Sequence, residues 1–462
     1  MVAPKAHWDV IVIGGGTAGV IAGIAAARTG AKTLIVERGG FLGGNAATGM
    51  NLGGFFDGSE TQVVRGIPQE FVDRAVALNA GRGHVFFRDV DRWISSTASI
   101  DPEAYKQIAL DKVEEAGCHV WFYTTFVRAI EENGSVASVE VATKDGPRVL
   151  TAEVYIDASG DADLATSVGV PFERGGGTKR QAVTCMFRVS HINFAAVEQF
   201  MEEKINTEKK TPWTFENAPL RASHKYWTPW KISPDDAKRF ARQFGIYYHG
   251  RPGEAFVNCT HAPLESLEPD DIAQCTTRLY RQAVEVLDYL VTNVPGFENA
   301  TLTQVYDLGI RESRRIVGDY MLTVQDMVNL REFDDVVAMG AYPPDLHDAT
   351  RGFGDITIHG KGFAGTTEEV GIPNNPGYQI PLRSLLPTGI ANLLVAGRCI
   401  SATFEAQAGA RGMAPCGATG QAAGTVAALA VIQHKSPREV VLADLQRSLL
   451  KAGAYLGKRV TL

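Results

Sequence analysis

The sequence is short of paired cysteines. The six present, at 118, 185, 259, 275, 399 and 416, stand singly and no C-x-x-C occurs. That spacing excludes zinc ribbons and ferredoxin-type clusters and supplies no disulfide framework, so no metal site is expected. Reduced thiols in a cytoplasmic protein are the simplest reading. Basic charge is not in excess either. A formal net charge of −7 gives no reason to expect nucleic acid or an anionic membrane as partner. No apolar run reads as long enough to span a bilayer. The first strand is expected by Trp8 or Asp9, which leaves no room for a signal peptide. Internal repeats and low-complexity tails are missing, so the 462 residues fall to ordinary globular domains, two or three by length.

What is present begins at Asp9-Val-Ile-Val-Ile-Gly-Gly-Gly-Thr-Ala-Gly19, an apolar strand running into a glycine turn. Gly14, Gly16 and Gly19 satisfy G-x-G-x-x-G: one for the tight turn, one for close approach of a pyrophosphate, one for helix–sheet packing. Thr17 and Ala18 open an alanine-rich helix whose N-terminal N–H groups face that phosphate. Glu37, followed by Arg38, closes the next strand, Thr33-Leu-Ile-Val36, where a carboxylate meets ribose hydroxyls. Strand, turn, helix and acid together predict a dinucleotide site.

Beyond it, residues 41–58 are glycine-rich and apolar, suited to close approach to a flat ligand. Asp101-Pro102-Glu103 is a helix start, and Gly117 a stop. Asn133-Gly134 and Asp145-Gly146 separate alternating segments at 126–131, 135–141 and 148–156, which predicts a meander returning to the parallel sheet and ending at Asp157-Ala-Ser-Gly-Asp161. Aromatics crowd between Trp213 and Phe256, either a stacking surface or a core. Asn392-Leu-Leu-Val-Ala-Gly397 predicts a late buried strand, and a small-residue helix is expected from about Cys416 to His434.

With these residues placed, the chain resembles the FAD-dependent oxidoreductases of the glutathione-reductase-like superfamily, related to the fumarate reductase flavoproteins. The resemblance is carried by Val12–Gly19, Val36–Gly44, Ile156–Leu164, Gly309–Ile316, Leu394–Ser401, Arg411–Cys416 and Gly420–Gly424. It implies an α/β fold: a three-layer, Rossmann-type FAD-binding domain from residues 1–170 and 385–462, with a mixed α+β substrate or cap domain, 171–384, inserted between. It implies that Gly14, Gly16 and Gly19 hold the FAD pyrophosphate and Glu37 the adenosine ribose. Gly43, Gly44, Asn45 and Ala46 would run toward the isoalloxazine, Val127 would meet the adenine, and Ser159, Gly160 and Asp161 would close over the adenosine side. Many relatives carry Gly-Asp or Gly-Glu at the late strand end, where this chain has Gly397-Arg398. Another group must then serve the ribitol, or Arg398 serves the phosphates. Asn45, Ala46 and Ala47, not a histidine, stand after Gly44 where some relatives attach flavin covalently, which favours noncovalent FAD. Met413 and Cys416 would stand where the C-terminal helix aims its N-terminus at the flavin.

The candidate catalytic residues are Arg311, Arg315, His261 and Tyr378. Arg311 and Arg315 stand four apart and would share a face if helical. Either they clamp an anionic or oxygen-rich substrate, or an arginine pairs with Glu312 and braces the inserted region. His261 is a proton acceptor or a satisfied loop residue. Tyr378 shuttles a proton or caps the core. Cys416, near a helix N-terminus where thiolate is favoured, lacks a partner and reads as packing or a backbone flavin contact. The expected function is oxidation of a small organic substrate at a C–H next to O or N, by hydride transfer to flavin N5, with oxygen or another acceptor taking the electrons. The alternatives are fumarate-reductase-like reduction of an activated C=C, and an electron-transfer or binding protein without turnover. A small molecule is the partner expected, and self-association is left open.

Overall fold

The computed structural model describes residues 6–86, 94–176, 180–208, 225–227, 245–249, 251–347 and 377–461. A seven-stranded sheet organises the first lobe. Its parallel part runs in the order His119–Trp121, Thr33–Val36, Ala6–Ile13, Gly146–Asp157, with Leu393–Val395 on the far side of the last. The fully buried, β-branched runs Val10–Ile13 and Thr33–Val36 suit strands covered on both faces. The meander follows the sequence expectation. Thr125–Glu132 and Ser135–Thr143 pair antiparallel across Asn133-Gly134, and Gly146–Asp157 follows the second turn.

Gly146–Asp157 does two jobs. Its first half extends the meander, and its second half lies between Ala6–Ile13 and Leu393–Val395 in the parallel sheet. Two helices cover this sheet. Thr17–Thr29 and Met413–Gln433 are lined with Ala and Gly, and Gly420 and Gly424 lie directly against the Ala18 and Ala22 carbonyls. By length and composition Met413–Gln433 is apolar enough to cross a membrane, against the sequence expectation, yet most of it is buried inside the protein. It starts three residues earlier than expected, with Gly412 as its cap. Pro415 therefore sits in the first turn, where a missing N–H leaves no bond unmade.

The Pro102–Glu115 helix is capped as the sequence predicts: the Asp101 carboxylate accepts from the Glu103 and Ala104 N–H groups at 3.0 and 3.1 Å. Asp101 also pairs with Arg251, joining this helix to the second lobe.

The second lobe is an antiparallel five-stranded sheet in the order 225–227, 245–247, 255–258, 187–190, 301–305. Its own core includes Phe187, Val257, Val286, Leu290 and Phe297, with the long helix Pro269–Asn293 against it. Residues 316–341, assigned by sequence to the inserted domain, instead contribute Ile316, Leu322, Met327 and Val336–Ala341 to the core of the first sheet. Of the aromatic run, Trp213, Phe215, Trp230, Phe240 and Phe244 lie outside the described residues. Tyr247 and Phe256 are buried between the lobes with Met186, Tyr306 and Met50.

Candidate active site

Four strands of the first sheet end on one cleft of about 380 Å³: Ile13, Val36, Ala158 and Ala396 each line it just at or beyond a carboxyl end. That is where ligands bind in open α/β sheets. Gly14, Gly16, Thr17 and Ala18 form its floor, with Gly16 capping the Thr17–Thr29 helix. A Cβ on Gly16 would meet no protein atom within 4 Å, so the backbone there is open to a close-approaching group. Gly19 does not line the cleft. A Cβ there would stand 1.8 Å from the Gly14 carbonyl oxygen, so its role is to seat the helix on the loop.

Glu37 lines the cleft and ties two loops together, its carboxylate accepting from Gly15 N at 2.7 Å and Gly39 N at 2.6 Å. A carboxylate has acceptor sites to spare for a ribose. Arg38 beside it is exposed. Thr124, Thr125 and Phe126 line this end, and Val127 is one residue beyond them and 52% exposed. Gly43 donates to the Gly15 carbonyl at 2.8 Å and accepts from Thr17 Oγ1 at 3.0 Å, which lays Gly44 and Asn45 along the cleft. Ala46 is buried beneath them.

The substitution at the late strand end has a partner. Arg398 Nη2 donates to Asp161 Oδ1 at 2.8 Å, across the ends of two adjacent strands, and Arg398 Nη1 donates to Ser313 Oγ at 3.2 Å. Burial alone would raise the Asp161 carboxyl, but the Arg398 guanidinium holds it below the usual range. Ser159, Gly160, Asp161, Gly397 and Arg398 all line the cleft. The turn is set by buried Asp157, which accepts from Ser159 N and Oγ at 3.0 and 2.6 Å.

Met413 and Cys416 line the opposite, inner end. Burial pushes the Cys416 thiol up to about 12, against the helix N-terminus that would favour a thiolate, in keeping with packing or a backbone contact. Iodoacetamide at pH 8 should leave Cys416 of the native protein unmodified, as read by mass spectrometry of tryptic peptides. Rapid alkylation there would contradict the burial.

The four candidate catalytic residues are not brought together. Residues 311–314 are not helical, and Arg315–Ile316 is a short strand paired with Phe172–Glu173. Arg315 is 1% exposed and bonds Glu312, the Ala402 carbonyl at 2.9 Å and the Gly175 carbonyl at 3.0 Å. This is the brace, not the clamp. His261 is gripped through its main chain by Gln282 of the long helix, at 2.8 and 3.0 Å. Tyr378 is buried in a strand, its hydroxyl donating to the Tyr342 carbonyl at 3.2 Å, and burial raises its phenol further. None of the four, Arg311, Arg315, His261 or Tyr378, is among the residues that line the cleft.

Arg311 belongs to a polar cluster around Arg411, the member that lines the cleft, and donates to the Ala182 carbonyl at 2.6 Å. Burial, then the neighbouring Arg411 guanidinium, bring it down to about 10. The hub of that cluster is buried Asp345, which sequence reasoning missed. It accepts from His347 Nε2 at 2.9 Å and Tyr342 OH at 3.1 Å, and Arg411 Nη2 stands 3.6 Å away. Burial would raise the Asp345 carboxyl, but the bond from His347 and the two guanidiniums hold it well below the usual range. Burial and Arg311 push His347 down to about 4, so it is neutral at pH 7. No motif links positions 311, 342–347 and 411; only the fold joins them.

A family model described as FAD dependent oxidoreductase matches residues 9–449. The open backbone at Gly16, the helix N-terminus behind it and the Glu37 carboxylate fit that cofactor. Among solved structures, the chain is similar to a geranylgeranyl bacteriochlorophyll reductase-like protein from Thermoplasma acidophilum (13% identity, 97% of this chain and 87% of that one, TM-score 0.45). It is also similar to the flavin-dependent brominase Bmp2 (12%, 96% and 83%, TM-score 0.47) and to the tetracycline destructase Tet(51) (11%, 98% and 87%, TM-score 0.47).

Proposed function

The chain belongs to the FAD-dependent oxidoreductase family, and from that premise we propose that it oxidises a small organic substrate at a C–H next to oxygen or nitrogen. FAD held in the cleft would supply the two-electron chemistry, with oxygen or another acceptor as the final electron sink. The observation that carries this reading is the cleft itself, lined by the nucleotide loop, Glu37, the Asp161–Arg398 pair, Arg411 and the start of the Met413 helix. The glycine loop and Glu37 hold the adenosine diphosphate half. The Asp161–Arg398 pair serves the phosphates or the ribityl chain, and the Met413 helix faces the flavin end. The protein's share of the chemistry is to bind, orient and exclude water. The six free, buried cysteines support a reducing, cytoplasmic setting.

A second reading is reduction of an activated C=C, in keeping with the sequence resemblance to the fumarate reductase flavoproteins. Arg311, the arginine the sequence offers for that role, lies beside Arg411, which lines the cleft. Anaerobic mixing with candidate alcohols or amines distinguishes the two. Bleaching of the flavin bands supports oxidation, whereas reoxidation of pre-reduced protein by an electron-poor alkene supports the reverse.

Attachment is noncovalent in this proposal, since Asn45, Ala46 and Ala47 follow Gly44. Denaturing the purified protein and removing the precipitate should leave all flavin absorbance in the supernatant. Colour on the pellet would refute this part.

A further inference from the structure

Within a few residues the chain passes from the second lobe to the turn after strand Gly146–Asp157. Gly309 still pairs with Thr184, N–H to carbonyl in both directions at 2.7 and 3.1 Å, which continues the pairing of the second lobe's strands 187–190 and 301–305. Ser313 and Arg314 have already crossed. Ser313 is 2% exposed; its hydroxyl donates to Asp161 Oδ1 and accepts from Arg398 Nη1 at 3.2 Å. Arg314 grips the same turn at three points: the Asp161 carbonyl, the Asp163 carboxylate and, at 3.1 Å, Thr166 Oγ1. Neither Ser313 nor Arg314 lines the cleft, whereas Asp161, Asp163 and Arg398 all do.

The turn they grip needs holding. Gly160 has a φ of +84° and Ala162 one of +56°. The second is a left-handed conformation that a residue with a side chain seldom takes. It persists where surrounding contacts over-determine it. Asp157 fixes the turn from within, accepting from Ser159 and from the Ala165 N–H at 2.9 Å. Ser313 and Arg314 fix it from outside. Arg398 rests on the same turn: a Cβ on Gly160 would stand 2.8 Å from its Nε. A shift of the turn therefore carries Asp161 and Arg398 with it, while the Gly14–Gly19 loop and Glu37 stay in place.

We infer that Ser313 and Arg314 are positioning residues for the cofactor. They hold the Asp161–Arg398 wall of the cleft in the form that retains FAD, so a segment tied to the second lobe governs how long the first lobe keeps its FAD. This rests on the FAD reading of the cleft given above. Loosening the turn leaves the nucleotide loop able to capture FAD and lets it leave sooner.

The test is the rate of FAD release from the holoprotein, read as recovery of FAD fluorescence on dilution. It is run at a temperature where circular dichroism shows every variant folded. Release roughly tenfold faster is expected in R314M, where charge-assisted bonds are lost, with R314K between R314M and wild type. D161N should also release FAD faster. Adding R314M to D161N should change the rate little further, because both act through one turn. Full additivity of the two would overturn the inference. So would a wild-type release rate in R314M, even with a lowered urea midpoint of the apoprotein, since Arg314 would then only brace the fold. A wild-type apoprotein that takes up no FAD is a different result and would overturn the cofactor reading itself. Should R314M not fold, S313A removes a single hydroxyl. Release several-fold faster is expected there, and a wild-type rate would overturn the inference.

Discussion

A chain carrying Gly16→Asp should fold, purify and come off the column colourless. The new Cβ meets no protein atom within 4 Å, so the loop accepts it without strain on its neighbours. The carboxylate then occupies the space that a pyrophosphate needs, in front of the Thr17–Thr29 helix. Two like charges about 4 Å apart repel by about 4 kcal/mol at an effective dielectric of 20, on the order of a thousandfold in affinity. Quenching of FAD fluorescence on titration into apoprotein measures the loss, and a thermal melt against wild-type apoprotein checks the fold. A yellow variant with unaltered FAD affinity would remove the glycine loop from the cofactor site. Gly19→Ala should fail differently, because its Cβ collides with the Gly14 carbonyl at 1.8 Å and the loop itself must move.

The second large effect is on stability. Arg315→Met should destabilise the protein by about 3–5 kcal/mol, since it leaves the Glu312 carboxylate buried opposite an apolar side chain. Both members of that pair are 1% exposed, so water cannot take over. Burial already raises the Glu312 carboxyl, offset in part by the Gly175 N–H and by Arg315. Adding Glu312→Leu should recover much of the loss, because an apolar pair replaces a broken ionic one. Urea unfolding of the two single variants and the double variant measures the coupling. Equal midpoints for wild type and Arg315→Met would show that the pair contributes nothing.

The contrast between these residues explains what could be read from the sequence. The nucleotide loop, the meander turns and the Asp101 cap are local: the residues that dictate the geometry stand within a few positions of those that adopt it. Glu37 could be placed because one strand after the helix returns it to the loop. The arginine segment could not. Arg311 and Arg315 point apart because the chain enters a strand against Phe172–Glu173, which their spacing does not announce. Asp345, His347 and Tyr342 were invisible for the same reason, each being ordinary in its own neighbourhood, and Arg411 could be read only as the start of a matching stretch. Gly397-Arg398 was legible as a departure, but its answer, Asp161, lay on the turn after another strand.

Strand Gly146–Asp157 sits between the first strand of the chain and one of the last, and this governs the order of assembly during synthesis. While the ribosome is still upstream of Leu393, the emerging protein has a glycine loop and a carboxylate but no Gly397, Arg398, Met413 or Cys416 to wall the cleft. Early segments fold as they appear, yet the cofactor's compartment stays open along one side until the chain has been made as far as Cys416. Closure of that compartment therefore waits on Leu393–Cys416, and a chain that stops before them lacks one wall of the cleft.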